Sequence, residues 1–281
     1  MRWILSQKEL YRLRRADIAV VSFVKSGRTW LRVMMSRLFQ VKYDLPAEAI
    51  IERDNLHNLN AAVPIFLFTH GSYIQNLRPI SRDYSHSAGK KLIFLARHPA
   101  DVAVSYYFDL RYRASPLERD VRRLPDDLSG MPVTEFIMNP SWGMPAVIDY
   151  LNNWAEAFHA QPRYLLLRYE DIHADPTSQL KRIADFIGED FSAAAYAEAV
   201  RFASFKNLQD KERQNFFNNH RLQPRDQANP DSFKVRKGKV GGYREYFTEP
   251  ELAALDDMVR ARLNPIYGYS RSPGSPARAS A

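Results

Sequence analysis

Four short stretches of the chain are apolar at almost every position: Ile18–Val24, Ile65–Thr69, Lys91–Ala96 and Tyr164–Tyr169. A strand with one wet face alternates apolar and polar side chains. Runs without alternation predict strands covered on both faces, as in a parallel sheet between two helical layers. The intervals between the runs are long enough for crossover helices, and several carry helical spacing. Trp30–Phe39 follows the first run, Pro99–Phe108 opens with a proline suited to a first helical turn, and Thr177–Ile187 is closed by Gly188. The spacing also predicts helices over 146–159 and 192–201, and a short basic amphipathic helix over 1–15 that caps the domain. The expected fold is α/β: one domain over residues 1–269, a three-layer sandwich around a central parallel sheet. Residues 270–281, rich in Ser, Pro and Ala, are expected to be disordered. Residues 111–145 hold Arg111, Arg113, Arg119, Arg122 and Arg123, several prolines and little periodicity, and read as a mobile surface excursion.

Composition narrows the chemistry. The 281 residues carry a formal net charge of +8, which favours anionic ligands: a polyanionic cofactor, an acidic membrane surface or nucleic acid. There are no cysteines, so disulfides and thiolate metal sites are excluded. No apolar run approaches the roughly 18 residues of a membrane span, and the N-terminus lacks a signal-peptide core. A cytoplasmic location is the expectation, with a peripheral membrane contact open to the basic N-terminal helix.

The first apolar run breaks on Lys25-Ser26-Gly27-Arg28-Thr29-Trp30 and continues as a helix. Strand, tight turn and helix together aim backbone N–H groups and the helix dipole at an anion, and the side chains add donors at the same point. The order is not that of the nucleotide triphosphate loop, whose Lys follows its second Gly. Lys-Ser-Gly-x-Thr-Trp directly after a strand resembles instead the 5′-phosphosulfate loop of the sulfotransferase family. Those enzymes use 3′-phosphoadenosine-5′-phosphosulfate (PAPS) as sulfonate donor and release 3′-phosphoadenosine-5′-phosphate (PAP).

Two further strings strengthen the resemblance. Arg97-His-Pro-Ala-Asp-Val-Ala-Val-Ser105-Tyr-Tyr, after the third apolar run, is similar to the family's 3′-phosphate motif, which implies that Arg97 and Ser105 hold that phosphate. Arg236-Lys237-Gly238, in a basic glycine-containing segment that ends Phe247-Thr248, is similar to the family's Arg-Lys-Gly segment and implies further 3′-phosphate ligands. Weaker similarities place Tyr169 (in Tyr-Glu-Asp), Ser204, Phe205 and Leu208 around the adenine, with Trp30 on its other face. The resemblance runs from about residue 18 to about 250.

By the same resemblance, Lys25 stabilises the leaving phosphate, and Ser26, Gly27, Arg28 and Thr29 bind it. His70, in Phe68-Thr-His70, matches the family's catalytic base, and a neutral imidazole suits removal of a hydroxyl proton near pH 7. His98, beside Arg97, is the rival. Two departures stand out: Phe68 replaces the Lys of the family's Lys-Thr-His pattern, and Arg28 stands where many relatives have Thr, so its guanidinium is a candidate for the missing charge. Arg244, Thr248, Glu249 and Ala253 replace most of the family's dimer motif, which leaves the oligomeric state open.

No cluster has metal-ligand spacing, so no metal is expected. The acceptor is unidentified: a small molecule, lipid or glycan, with nucleic acid not expected. Tyr106–Phe108, Trp142 and Phe216–Phe217 suggest apolar walls for it, and the basic stretch near 111–123 suggests its entrance. The competing readings are a nucleotide-dependent kinase or ATPase on the same cradle, and a non-catalytic basic binding module.

Overall fold

A computed structural model describes residues 2–71, 89–114, 128, 130–159, 163–219, 222 and 226–269. Helix α1 (Arg2–Arg15) leads into β1 (Ile18–Ser22), α2 (Arg28–Tyr43), the short α3 (Asn55–Leu59) and β2 (Phe66–Thr69). Then come β3 (Lys91–Ala96), α4 (Pro99–Tyr112), α5 (Val133–Met138), α6 (Met144–Phe158) and β4 (Tyr164–Arg168). Helices α7 (Tyr169–Ala174), α8 (Pro176–Ile187), α9 (Ala193–Phe202), α10 (Phe205–Arg213) and α11 (Glu249–Arg262) complete the chain.

The four strands form one all-parallel sheet in the order β2-β1-β3-β4. Alternate residues of the same strand enter different cores. Ala19, Val21, Leu92, Phe94 and Ala96 pack under α1, α4, α6 and α11, whereas Ile18, Val20, Ile93 and Leu95 pack under α2, α8 and α9. Both faces are therefore dry, which is why the strands show no polar alternation. Helix α4 begins with Pro99 at its first turn, and α8 ends on Gly188 in the left-handed conformation (φ 81°). The predicted strands and helices are all present, with ends displaced by at most four residues, and β1 stops at Ser22 rather than Val24.

The segment 111–145 departs from the expectation of a surface excursion. Its start is the last turn of α4, and Arg113 contacts Asp109 and Glu212. Its second half folds as α5 and enters α6, with Leu128, Phe136 and Ile137 buried. The Tyr107 hydroxyl donates to the Met131 carbonyl at 2.7 Å and fastens this half to α4. A helix end and a six-residue helix give too few turns for a clear periodic signal. Arg119, Arg122 and Arg123 lie outside the described residues, as does the tail 270–281.

Candidate active site

The carboxyl ends of the four strands deliver one residue set each to a common edge. Beyond β1 runs the loop 23–27, beyond β2 comes His70, beyond β3 Arg97, and beyond β4 Tyr169. Open α/β sheets bind ligands at this edge. A cavity of about 330 Å³ opens there, closed on its far side by residues 234–239. Seven cations (Lys25, Arg28, Arg97, Lys234, Arg236, Lys237 and Lys239) and two carboxylates (Asp101 and Asp109) line it, so it suits a ligand with several negative charges.

The loop after β1 is held in an unusual backbone state. Lys25 has φ 66° and Gly27 φ 93°; a left-handed non-glycine residue costs about 1–2 kcal/mol. At Gly27 glycine is required, because a Cβ would stand 2.4 Å from Cδ2 of Tyr169. Gly27 is also the N-cap of α2, which has no side-chain cap and no acidic residue in its first turn. The positive end of the dipole is thus left to a ligand. Ser26 is buried, and its Oγ has no hydrogen-bond partner among the described residues.

Arg97 organises the opposite wall. Its Nη1 donates to the Lys25 carbonyl (3.1 Å), its Nη2 to the Lys239 carbonyl (3.2 Å), and its guanidinium lies 4.3 Å from the Tyr169 ring centroid. Its Nε is buried without a partner among the described residues. Asp101, in the first turn of α4, accepts from the backbone N–H groups of Gly241 (2.8 Å) and Tyr243 (3.0 Å), which fixes the basic segment beside Arg97. Within that segment, Arg236 donates to Asp231 (3.2 Å) and to the Tyr246 hydroxyl (2.9 Å) and lies over Phe108. Lys237 and Lys239 both donate to Glu245 at 2.6 Å, which pulls that carboxyl down to about 2. Gly238 (φ 60°) admits Phe205: a Cβ there would lie 2.6 Å from Cδ2 of that ring. Trp30 donates from Nε1 to the Ala203 carbonyl (2.8 Å) and meets the Tyr169 ring edge-on at 5.6 Å.

His70 is held at both ring nitrogens. Arg28 Nη2 lies 2.8 Å from Nε2, and Nδ1 lies 2.8 Å from the Ser22 carbonyl. A guanidinium only donates and a carbonyl only accepts, so this network assigns the proton to Nδ1 and the lone pair to Nε2. The Tyr150 hydroxyl also donates to the His70 carbonyl at 3.1 Å. This is the neutral tautomer that a general base requires, with the lone pair of its basic nitrogen held by Arg28.

Most of the residues singled out in the sequence meet here: Lys25, Gly27, Arg28, Thr29, Trp30, His70, Arg97, Ser105, Tyr169, Phe205, Leu208, Arg236, Lys237 and Gly238 all line the cavity. Ser26 lies buried under the loop, and Ser204 is exposed at the start of α10, outside the lining. His98 is not in the site. It is half-buried, stacks on Tyr243 at 5.0 Å, and desolvation pushes its pKa down. The aromatics expected as acceptor walls are packing residues. Tyr106 and Tyr107 are buried with Phe136, Trp142 packs against that cluster, and Phe216–Phe217 pack on Phe202. None of these lines the cavity. Among the described residues no group of three or more His, Asp or Glu stands together as a metal site, and no helix is long and apolar enough to cross a membrane.

Sequence reading missed a charged cluster at the inner wall. Lys25 Nζ donates to Asp109 Oδ1 at 2.8 Å, and Arg113 Nε (3.5 Å) and Lys234 Nζ (3.8 Å) approach the same oxygen. Burial alone would raise the Asp109 pKa, but Lys25, Lys234 and Arg113 outweigh it and hold the carboxyl well below its usual range. Lys234 is pushed down to about 7, first by the charge of Lys25 and then by burial, with Arg113 and Arg28 adding to the effect and Asp109 opposing it. The one available signal was Asp109 at i+4 from Ser105, on the same helical face.

A family model described as a sulfotransferase domain matches residues 15–266. Among curated proteins, the chain is 28% identical to flavonol 4′-sulfotransferase of Flaveria chlorifolia, over 93% of this chain and 83% of that one. It is 25% identical to flavonol 3-sulfotransferase of Flaveria bidentis, over 91% and 84%. Among solved structures, mouse sulfotransferase SULT7A1 complexed with PAP matches with a TM-score of 0.57 and 22% identity, over 92% of this chain and 90% of its own. Retinol dehydratase in complex with androsterone and inactive cofactor PAP gives 0.58 and 21%, over 88% and 80%. At such identities the two structures establish the shared fold.

Proposed function

This chain belongs to the sulfotransferase domain family, and we propose that its cavity binds PAPS and passes the sulfonate group to a small-molecule hydroxyl or amine. The observation that carries the reading is a pair of buried, unpartnered polar atoms. Among the described residues, Arg97 Nε on the cavity lining and Ser26 Oγ buried beneath the adjoining loop both lack a hydrogen-bond partner, beside a cavity with net positive charge and the uncapped start of α2. Buried polar atoms left unpaired cost about 1–3 kcal/mol each, and anionic oxygens at both points relieve that cost. The flavonol sulfotransferases named above, whose substrates are small molecules by name, support a small-molecule acceptor.

The residues divide the work as follows. Ser26, Gly27, Thr29 and the N-terminal amides of α2 bind the 5′-phosphate. Arg97, Ser105, Arg236, Lys237 and Gly238 bind the 3′-phosphate, and Trp30, Tyr169, Phe205 and Leu208 bracket the adenine. When bound, the donor supplies an activated sulfonate on a phosphate leaving group. Lys25 offsets the charge that builds on that phosphate as the sulfur–oxygen bond breaks. His70 Nε2 takes the proton of the attacking acceptor group once that group displaces the Arg28 guanidinium from its lone pair. Before the acceptor arrives, Arg28 holds that nitrogen and orients the ring; once displaced, its guanidinium adds positive charge beside the transfer point. Phe68 brings no such charge: its ring packs on Phe66 and under Arg32.

Calorimetry with PAP, using ATP with Mg²⁺ and 5′-AMP as controls, tests the reading. The expected result is PAP binding without metal, weaker binding of 5′-AMP, and a loss of roughly 10–100-fold in Arg97→Ala, since hydrogen bonds to charged groups contribute about 1.5–3 kcal/mol. Equal or tighter binding of ATP, or no response to PAP, overturns it.

A further inference from the structure

We propose that Lys234 is a second donor-binding ammonium, paired with Lys25 through the carboxylate of Asp109 and facing the phosphosulfate end of the donor. The inference rests on the PAPS reading above. Position 234 lies two residues before the Arg236-Lys237-Gly238 segment and carries no part of the family resemblance.

The geometry is that of an anion site holding a substitute anion. Three cations from different parts of the chain converge on one oxygen, Asp109 Oδ1: Lys25 from the loop after β1, Arg113 from the end of α4, and Lys234 from the basic segment. Lys234 is fixed in place by its backbone, because Glu212 on α10 accepts from the N–H groups of Lys234 and Val235. Arg113 approaches that carboxylate at 3.6 Å, and burial raises its pKa. Arg113 also donates to the Ser232 carbonyl, which leaves it no freedom to turn away. One carboxylate therefore faces two lysines and Arg113 at the wall of the cavity, and both lysines line it.

Such an arrangement is costly until a further anion arrives. The groups facing Lys234 are Lys25 and Arg28 from the β1–α2 region, Asp109 and Arg113 from α4, and Glu212 from α10. Cations dominate, and they hold part of the Lys234 population neutral near pH 7. A ligand with about four negative charges, as two phosphate groups carry near pH 8, reverses that balance. Lys234 then takes up a proton as the donor or PAP binds, and the ammonium so formed supplies the cation that Phe68 does not. A purely structural Lys234–Asp109 ion pair exchanges no proton on binding.

Calorimetry of PAP binding at pH 8 in buffers of different ionisation enthalpy reads this directly. A lysine titrating near 7 is roughly nine-tenths neutral at pH 8, so the wild type is expected to take up close to one proton per PAP, with affinity falling by up to about tenfold per pH unit above 7. Lys234→Arg keeps the charge and cannot titrate. It is expected to bind PAP as tightly as the wild type or more so, with the uptake gone and the pH dependence flat. Lys234→Met is expected to lose both the uptake and about tenfold or more in affinity. Uptake that persists unchanged in Lys234→Arg, or a wild type that binds PAP with no uptake, overturns the role of Lys234 and leaves the sulfotransferase reading standing. A wild type that does not bind PAP overturns both.

Discussion

Replacing Gly27 by Ala tests how the phosphate loop is held open. Two costs are separable in the structure. The backbone at φ 93° is left-handed, and an alanine there costs about 1–2 kcal/mol. The new methyl also meets Tyr169 Cδ2 at 2.4 Å and Cε2 at 2.8 Å. That ring cannot yield freely, because it is buried, carries the Arg97 guanidinium at 4.3 Å and abuts Trp30. Overpacking of this kind costs about 1–3 kcal/mol. The sum is about 2–5 kcal/mol, which lowers Tm by roughly 5–15 °C in a protein of this size. Gly89→Ala is the matched control: its φ is +78° and nothing among the described residues lies within 4 Å of the added Cβ, so it reports the backbone cost alone. Urea unfolding of both variants, with PAP calorimetry, gives the difference. Because a displaced Tyr169 drags Arg97, Gly27→Ala is expected to weaken PAP binding at least tenfold while Gly89→Ala leaves it unchanged. Gly27→Ala as stable as Gly89→Ala, with wild-type PAP affinity, refutes the argument that Tyr169 and Arg97 are braced against this glycine.

Arg28→Ala is expected to reduce turnover roughly 10–100-fold while PAP affinity stays within about threefold, since the guanidinium is spent on His70; steady-state kinetics with PAPS and calorimetry separate the two. Equal losses in both place Arg28 on the donor phosphate instead. Asp109→Asn removes the anion that competes for Lys25 and Lys234, so PAP is expected to bind more tightly while apo stability at pH 7 falls. The same variant has a pH signature. The Asp109 pKa is depressed in the folded state, so the stability it lends is complete above the ordinary carboxyl range near pH 4 and is lost as pH falls toward the folded value. Urea unfolding of Asp109→Asn is expected to show a shallower decline below about pH 4 than the wild type.

How much of this was legible beforehand follows from the range of the interactions. A strand buried on both faces leaves its mark in five or six consecutive residues, and a phosphate loop leaves its mark in the turn that joins strand to helix. Both are local, so the sheet, the flanking helices and the Lys25–Trp30 cradle could be read from the chain itself. Arg97 and the 236–238 segment were found for a related reason: each sits immediately at a strand end or a glycine turn. The segment after α4 escaped because a helix end and one short helix carry no period to read.

The aromatics were assigned to the wrong side for lack of depth information. A Tyr-Tyr-Phe run on α4 presents one ring to each direction, and only packing against Phe136 shows that Tyr106 and Tyr107 face the core while Phe108 meets Arg236. The chemistry at the transfer point was decided last. Lys25 and Asp109 are 84 positions apart, and Arg28 and His70 are 42 apart. Neither pair carries a spacing that one element could encode. Their charges act on each other only because the sheet brings four strand ends to one edge and Glu212 pins Lys234 against it. The sequence by itself determined which side chains the site has to work with; burial and proximity, which exist only in the folded chain, decided which of them share a proton or a charge.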